Sequence, residues 1–577
     1  MPRGGFFLLE SQAPEDIFTP EDFTEEQKAI AKTTEEFWNN EVAPHLEEIQ
    51  HQHFDVLKKV LRKSAELGLT AVFLPEKYGG MEMDFASMMI VSEGLARDGS
   101  YATCHGAQAG IGTLPILLFG TEQQKRKYLP RLATAELIAA YALTEPQAGS
   151  DALAARTRAD ISADGTHYVL NGQKMWITNG GIADLYTVFA KVGGEKFTAF
   201  LIERQWPGVK PGAEEKKMGL KGSSTTAVYF DNVKVPVENV LGEIGRGHII
   251  AFNILNIGRL VLGVFAHGGA RDALADSIRY AKERKAFGKS IAEFGLIQEK
   301  LAEMATRIYV NESMAYRVVG EIQTRLEGLS WDAPDAAQRV LKAVEEYAVE
   351  CSFVKVFGSE MLDYVVDEGV QIHGGYGYHQ DYSVERAYRD SRINRIFEGT
   401  NEINRLLATG MLLKRARRVD REGRVLPLVD AVKKLQVEIL SGAGESDIIA
   451  NSKKIALLLL GVAYEKFREK IEEQQEVIAG ISDVLMNAYA MESALLRSKK
   501  SGRENASDMA AVFADEAMTM IESAARTVLA ACSEGDALRA NLAVLRRFAR
   551  REPVNSIALR RRTAARLIEA ARYVSGL

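Results

Sequence analysis

The sequence predicts a multidomain, mainly α-helical protein: an N-terminal helical domain, a middle antiparallel β domain, a C-terminal helical bundle and an additional helical C-terminal domain. Three observations lead there. The chain has 577 residues, 46% of them hydrophobic, and about 150 residues per domain gives three or four units. Apolar residues recur at helical spacing through most of the length. Between about Tyr141 and Gly247 that spacing gives way to short β-branched and aromatic runs broken by turn dipeptides.

In order, residues 1–22 are an N-terminal extension and 23–140 the first helical domain. Thr24, followed by Glu25, Glu26 and Gln27, reads as an N-cap with an acidic first turn. Val56, Val60, Leu61 and Leu67 recur at helical spacing, and Gly68 and Gly79–Gly80 punctuate the helices. In the middle domain, 141–255, Tyr168–Leu170 and Met175–Ile177 flank Asn171-Gly172, Tyr186–Val192 and Phe197–Ile202 flank Gly193-Gly194, and Ala227–Phe230 precede Asp231-Asn232. These are hairpin signals of an antiparallel sheet or barrel. Helical periodicity returns after Arg259 in a bundle assigned to 256–418, with Leu301, Met304, Ala305 and Ile308 on one face of a long helix. Arg421–Arg424, polar and containing Gly423, reads as a linker, and 430–577 as the further helical domain.

A net charge of −6 gives no global field towards nucleic acid. Cys104, Cys351 and Cys532 form no CxxC pair and no metal-ligand spacing, which predicts a reducing compartment and no metal. Phe6–Leu9 is too short for a signal-peptide core, and no apolar run approaches the ~18 residues of a membrane span. The expectation is a cytoplasmic protein of bacterial type, with peripheral contact at the inner membrane face left open.

Five stretches carry chemistry. Tyr141 to Asp151 contains Pro146 and Gly149, which free backbone groups beside the Thr144 and Ser150 hydroxyls; it suits the edge of a polar heterocycle or is an ordinary turn. Trp176 and Thr178 share a strand face, against one aromatic ligand or as a core Trp beside a solvated Thr. Arg284 and Phe287, with Gln298 downstream, suit a diphosphate and an adenine or an ordinary charged loop. Gln371 to Tyr378 holds Gly374 and Gly375, which permit close backbone approach, while His373 reads as packed or capping. Arg395 to Ile403 sets Glu398 between apolar residues and a glycine. A desolvated carboxyl there has the raised pKa of a general base, although a helix N-terminal acid reads the same way.

Together, in this order, these stretches make the chain resemble the acyl-CoA dehydrogenase family from about residue 25 to 415, most of all its very-long-chain branch. Glu215–Gly222, Asn239–Glu243, Phe294–Glu303, Arg395–Asn401 and the large C-terminal extension carry the likeness to that branch. The resemblance implies FAD between the β domain and the following bundle. It implies α,β-dehydrogenation of long- or very-long-chain fatty acyl-CoA to trans-2-enoyl-CoA, the first step of β-oxidation. Glu398 is then the general base and flavin N5 the hydride acceptor. Leu143, Thr144, Gly149 and Ser150 form a flavin loop, and Trp176, Ile177 and Thr178 line the ring. Arg284, Phe287 and Gln298 meet the diphosphate and adenine end, as do Gln371, Gly374 and Gly375, several of them from a neighbouring subunit. A homo-oligomer follows, a dimer favoured. Thr400, Asn401 and Glu402 touch the same cofactor. Ser150, Leu255, Asn256, Arg259 and Gly399 contact substrate, Asn256 standing where some relatives carry Asp. Hydrogen bonds from the backbone N–H of the base and a ribityl hydroxyl stabilise the enolate. An electron-transferring flavoprotein reoxidises the flavin. The alternatives are an acyl-CoA oxidase or a flavin-bearing assembly or scaffold protein.

Gly106, Ala107, Gly110 and Gly112 suit a deep acyl tunnel or close helix packing. In the extension, Ile455–Leu460, flanked by Lys453, Lys454, Lys466 and Arg468, reads either as an interfacial helix or as a buried bundle helix. The arginine-rich end (Arg546, Arg547, Arg550, Arg551, Arg560, Arg561, Arg562, Arg566) points to acidic partners, anionic lipid or acids within a dimer rather than nucleic acid.

Overall fold

The computed structural model describes residues 3–417, 425–441 and 447–574; the linker expected at Arg421–Arg424 lies outside the described residues. The first domain holds α1 (Glu25–Phe37), α2 (Leu46–Gln50), α3 (Phe54–Glu66), α4 (Phe85–Gly94), α5 (Gly99–Gly106), α6 (Leu114–Phe119) and α7 (Glu122–Ala133). The Thr24 hydroxyl accepts the Gln27 N–H at 3.2 Å and the Gln27 side chain accepts the Thr24 N–H at 3.0 Å, a complete capping box that starts α1. In α3, Leu57, Val60 and Leu61 turn inward, whereas Leu67 ends the helix and stays exposed. Between α5 and α6 the chain passes through a π-helical turn, Ala107–Gly112.

The sheet comprises β1 (Ala139–Ala142), β2 (Arg158–Ile161), β3 (His167–Thr178), β4 (Leu185–Val192), β5 (Lys196–Glu203), β6 (Val209–Glu214), β7 (Thr225–Pro236) and β8 (Val240–Leu241), in the order β6-β7-β3-β2-β4-β5-β8 with β1 added beside β4. It is antiparallel except that β4 runs parallel to β1 and β2. Gly193 and Gly194, at φ 61° and 83°, make the expected β4–β5 turn. The other two turn signals are corrected: β3 and β7 run straight through them as partners. Their register passes from Leu170↔Val233 to Gly172↔Phe230, so Asn171 meets Asp231 and Asn232 across one bulge. Asn232 takes φ 50°, and its N–H donates to Asn171 Oδ1 at 2.8 Å. A bulge needs the same left-handed backbone as a tight turn, so the same residues serve both.

The bundle follows: α8 (Gly247–Glu283), a small hairpin β9 (Lys285–Ala286) and β10 (Lys289–Ser290), α9 (Gly295–Arg325), α10 (Ala336–Glu346), α11 (Ala348–His373), α12 (Ser383–Ser391) and α13 (Asn401–Arg417). Because α8 opens at Gly247, the boundary expected at 255/256 falls inside a helix. By length and composition α8 could also cross a membrane, against the expectation that no segment would, yet most of its apolar stretch is buried in the bundle. The last domain holds α14 (Leu428–Ser441), α15 (Ile448–Phe467), α16 (Gln475–Ser501), α17 (Glu504–Cys532), α18 (Gly535–Ala549) and α19 (Ser556–Ala570).

Of the two readings of Ile455–Leu460, the buried one holds: all six residues are core. Lys453 beside them bonds Glu492 at 2.5 Å and the Glu10 carbonyl at 3.0 Å, and Lys454 pairs with Glu438. Much of the arginine-rich end is neutralised within the chain: Arg551 by Asp515, Arg560 by Glu303 and Glu516, and Arg562 and Arg566 by Asp508. Residues 3–22 form a strap between bundle and last domain. Phe6, Phe7 and Leu8 are buried, the Gly5 N–H donates to Glu350 at 2.6 Å, and Arg317 donates to Gln12.

Candidate active site

Glu398 lies between a 3₁₀ turn, Arg392–Arg395, and α13. Glu398 and Gly399 are consecutively left-handed, at φ 58° and 77°; for glutamate that costs on the order of 1–3 kcal/mol and persists only where neighbours impose it. The Asn404 amide imposes it by donating to the carbonyls of Glu398 (3.3 Å), Gly399 (2.8 Å) and Thr400 (3.0 Å). Arg259 Nε adds a bond to the Glu398 carbonyl at 3.3 Å. The side chain leaves this turn to lie on α8 at Gly258, where a Cβ would sit 2.6 Å from Oε2. Oε2 is buried with no hydrogen-bond partner. Burial pushes the carboxyl up to about 7, against the opposing fields of Arg259 and Lys355. The helix-terminus position belongs instead to Thr400, whose hydroxyl accepts the Ile403 N–H at 3.3 Å, and to Glu402 in the first turn of α13.

Glu398 lines a cavity of about 310 Å³ with Phe397, Thr178, Ile254, Ile257 and Val261. Gly106, Ala107 and Gly110 line it too, and a Cβ on Gly110 would meet only open space. A smaller chamber of about 40 Å³ shares Gly106, Gly110, Leu114 and Val261 with it. Gly112 serves packing, since its Cβ would fall 2.6 Å from Ala139.

Thr178 reaches the cavity from β3. A register shift between Lys174 and Ile177 puts Trp176 at φ 60° and leaves it 55% exposed. Ile177, expected beside the flavin, is turned into the core with 2% exposure, as strand alternation requires. The loop from Leu143 to Ser150 is braced from beneath by a bridge that charge-based reading misses, because a strand lysine ordinarily faces solvent. Lys174 Nζ, fully buried, donates to Glu145 at 2.7 Å and to the Leu143 carbonyl at 3.1 Å. Glu145 also accepts the N–H groups of Arg156 (2.6 Å) and Thr157 (3.1 Å). The Thr144 carbonyl accepts the Met175 N–H at 2.9 Å. Gly149 and Ser150 are exposed, and a Cβ on Gly149 would touch nothing.

A second group gathers around the end of α8. Phe287 and Gly288, at φ 53° and 83°, turn the β9–β10 hairpin and leave Phe287 96% exposed. The Arg284 guanidinium lies 5.6 Å from the Tyr376 ring centroid, next to Gln371, Gly374 and Gly375, whose glycines are open to a ligand. Gln298 donates to the Ala292 carbonyl at 3.0 Å. His373 is packed, stacked 4.1 Å from Tyr280 and bonded to the Gly369 carbonyl at 2.7 Å. None of this group lines the Glu398 cavity.

Among the expected substrate contacts, Arg259 Nη1 donates to Asn256 Oδ1 at 2.7 Å, both side chains buried, and Leu255 is half-buried beside them. The Asn401 side chain is occupied within the protein. Its oxygen accepts from Lys355 at 2.6 Å and its nitrogen donates to Ser359 and Glu360, both at 3.0 Å, which leaves the amide nothing to offer a ligand. The open glycines, exposed Trp176 and Phe287, and Arg284 fit a flat heteroaromatic carrying a diphosphate, supplied in two separate halves.

Models described as acyl-CoA dehydrogenase domains match four stretches: N-terminal over 24–136, middle over 140–233, and C-terminal over 245–412 and again over 451–547. A Bacillus subtilis protein named as a probable acyl-CoA dehydrogenase is 48% identical over 99% of this chain and 98% of its own. The Rattus norvegicus mitochondrial very long-chain specific acyl-CoA dehydrogenase is 43% identical over 61% of this chain and 53% of its own, so the match spans about half of that relative. The crystal structure of an acyl-CoA dehydrogenase complexed with FAD from Bacillus anthracis aligns at TM-score 0.97, with 48% identity and 100% of both chains covered. Butyryl-CoA dehydrogenase from Megasphaera elsdenii aligns at 0.61 and 36% identity over 68% of this chain and 99% of its own. This chain belongs to the acyl-CoA dehydrogenase family of oxidoreductases, and within it to the very-long-chain-like branch.

Proposed function

We propose that this chain carries out FAD-dependent α,β-dehydrogenation of long- or very-long-chain acyl-CoA to trans-2-enoyl-CoA, with Glu398 as general base. The observation that carries the reading is the Glu398 carboxyl, buried and with Oε2 unpartnered, at the wall of a cavity lined by both apolar and charged side chains. FAD, when bound, supplies the acceptor for the substrate's β-hydride. The chain's residues do the rest. Oε2 takes the α-proton as the α C–H bond breaks, and the Asn404 and Arg259 bonds fix the turn that aims it. The glycines along α5 and the π-turn, with the small chamber beyond them, support a long acyl tail.

The two residue groups support a homodimer in which one flavin is held by Trp176 and Thr178 of one subunit and the Arg284 group of the other. An electron-transferring flavoprotein is the proposed acceptor of the electrons. Whole-length likeness to dehydrogenases favours this over an oxidase or a scaffold. Purified holoenzyme given palmitoyl-CoA and an artificial acceptor is expected to form the trans-2-enoyl product. Glu398→Gln should lose on the order of 10²–10⁴-fold or more, the range of a general base. A variant that keeps a tenth of the rate would overturn the reading.

A further inference from the structure

The cavity at Glu398 runs well past the base. Its wall follows α8: Gly258, Val261, Phe265, Gly269, Asp272 and Asp276 all line it, at the three- and four-residue spacing of a single helix face. Glu398 lies at the near end, against Gly258. At about 1.5 Å rise per residue, Asp272 is about 21 Å further along and Asp276 about 27 Å. Over that distance the wall changes character. In its first part Val261, Leu262, Phe265 and Ala266 face Gly106 and Ala107, and the Thr103 hydroxyl beside them is spent on the Gly99 carbonyl at 2.7 Å. A hydroxyl carried by a ligand finds no free side-chain partner among these residues. The small chamber branches off here, at Gly106 and Gly110. The far part is charged, lined by Arg97, Asp98, Asp272, Asp276, Arg386 and Asp390. It also meets water, since the side chains of Arg97 and Asp272 are 32% and 36% exposed. Both arginines are already engaged: Arg97 Nε donates to Asp272 at 3.1 Å, and Arg386 pairs with Asp98 at 3.4 Å. Asp276 accepts the Ser383 hydroxyl at 2.6 Å.

We propose that this far end is a second, polar mouth that serves as a distal subsite for long-chain acyl-CoA whose tail ends in a hydroxyl group. This rests on the reading of Glu398 as base, which fixes where the α-carbon sits. An extended chain advances about 1.2 Å per bond, so a palmitoyl tail ends about 17 Å from its α-carbon, between the levels of Gly269 and Asp272. A terminal hydroxyl there donates to a carboxylate of the mouth or to water, while the hydrocarbon fills the stretch beside Val261 and Phe265. The same hydroxyl placed mid-chain falls about 10 Å along, level with Phe265, and loses its hydrogen bonds to water without replacement. A terminal carboxylate fits the mouth poorly, because four aspartates line it against two arginines that are already paired.

The test uses the FAD-loaded enzyme with an artificial acceptor and compares kcat/KM for palmitoyl-CoA, 16-hydroxypalmitoyl-CoA and 10-hydroxypalmitoyl-CoA. The 16-hydroxy chain is expected within about threefold of palmitoyl-CoA, and the 10-hydroxy chain about tenfold or more below it, the cost of a buried hydroxyl without a partner. A loss of about tenfold for the 16-hydroxy chain means the far end is closed to it and overturns the inference. Equal acceptance of both hydroxylated chains overturns it too, since no position along the cavity is then favoured. Asp272→Phe, which removes an acceptor and covers the mouth, is expected to lower the ratio of 16-hydroxypalmitoyl-CoA to palmitoyl-CoA about tenfold; an unmoved ratio contradicts the assignment of the mouth. Failure to turn over palmitoyl-CoA itself is a different result, which removes the proposed function and this inference with it.

Discussion

Glu398 combines three costs in one side chain: a left-handed backbone, a buried carboxyl and an oxygen without a partner. Such costs gather at sites where function outweighs stability. They give two residue-scale predictions. With the carboxyl raised to about 7, kcat/KM should fall tenfold per pH unit below about 7 and level off above it. The stability effect has the opposite direction. An acid whose folded pKa exceeds its unfolded value favours folding while protonated, so that contribution is present at pH 4 and is lost as pH rises through about 7. Glu398→Gln should therefore stabilise the protein at pH 8 by about 1–3 kcal/mol and do little at pH 4. Chemical denaturation at both pH values checks this, and equal effects at both would contradict it. Glu398 and the upward direction of its pKa were legible in the sequence because apolar neighbours and a glycine already imply desolvation. Lys355, Lys174 and Gly258 were not, because what makes them matter is a partner brought in from another element.

At the scale of elements, the glycines between α5 and α6 divide by what surrounds them. Gly110 faces open cavity, whereas Gly112 abuts Ala139 and its own turn. Gly110→Leu should fold normally and cut activity on palmitoyl-CoA far more than on butyryl-CoA. Gly112→Ala should destabilise by about 1–3 kcal/mol, as overpacking does, with little change in chain-length preference. Steady-state kinetics on the two substrates and denaturant midpoints separate the cases, and a uniform loss in Gly110→Leu would rule out a tunnel passing it. Composition alone could not divide these glycines. The same ambiguity hid the bulge between β3 and β7: Asn171-Gly172 and Asp231-Asn232 each carry a genuine turn signal, and only their mutual pairing makes them a bulge. In α15, by contrast, the apolar run is read correctly by the rule that such helices are ordinarily core. Exposed apolar residues occur instead on α14, at Val429, Val437 and Leu440, among other places.

For the whole molecule, the order helical, β, helical, helical was readable because hydrophobic period changes where the architecture changes. How the parts are fastened was not. Arg497 on α16 is fully buried between Glu312 of α9 (2.6 Å) and Glu21 of the N-terminal strap (2.8 Å). These partners lie far apart in sequence, so no local pattern announces them. Arg497→Met leaves Glu312 to Arg271 and Tyr573 and frees Glu21; it should cost about 1–3 kcal/mol, read as a lowered denaturant midpoint for the entire chain rather than a separate early transition for the last domain. Under the proposed function, the two groups of candidate flavin residues would belong to different subunits of a homodimer. All of this architecture converges on a single chemical claim, that Glu398 removes the proton while bound flavin takes the hydride. Anaerobic titration with palmitoyl-CoA, following flavin absorbance in wild type and in Glu398→Gln, tests it most directly. The account predicts bleaching of the wild type and none of the variant, although both hold FAD. Bleaching of the variant to a similar extent and at a similar rate would contradict it.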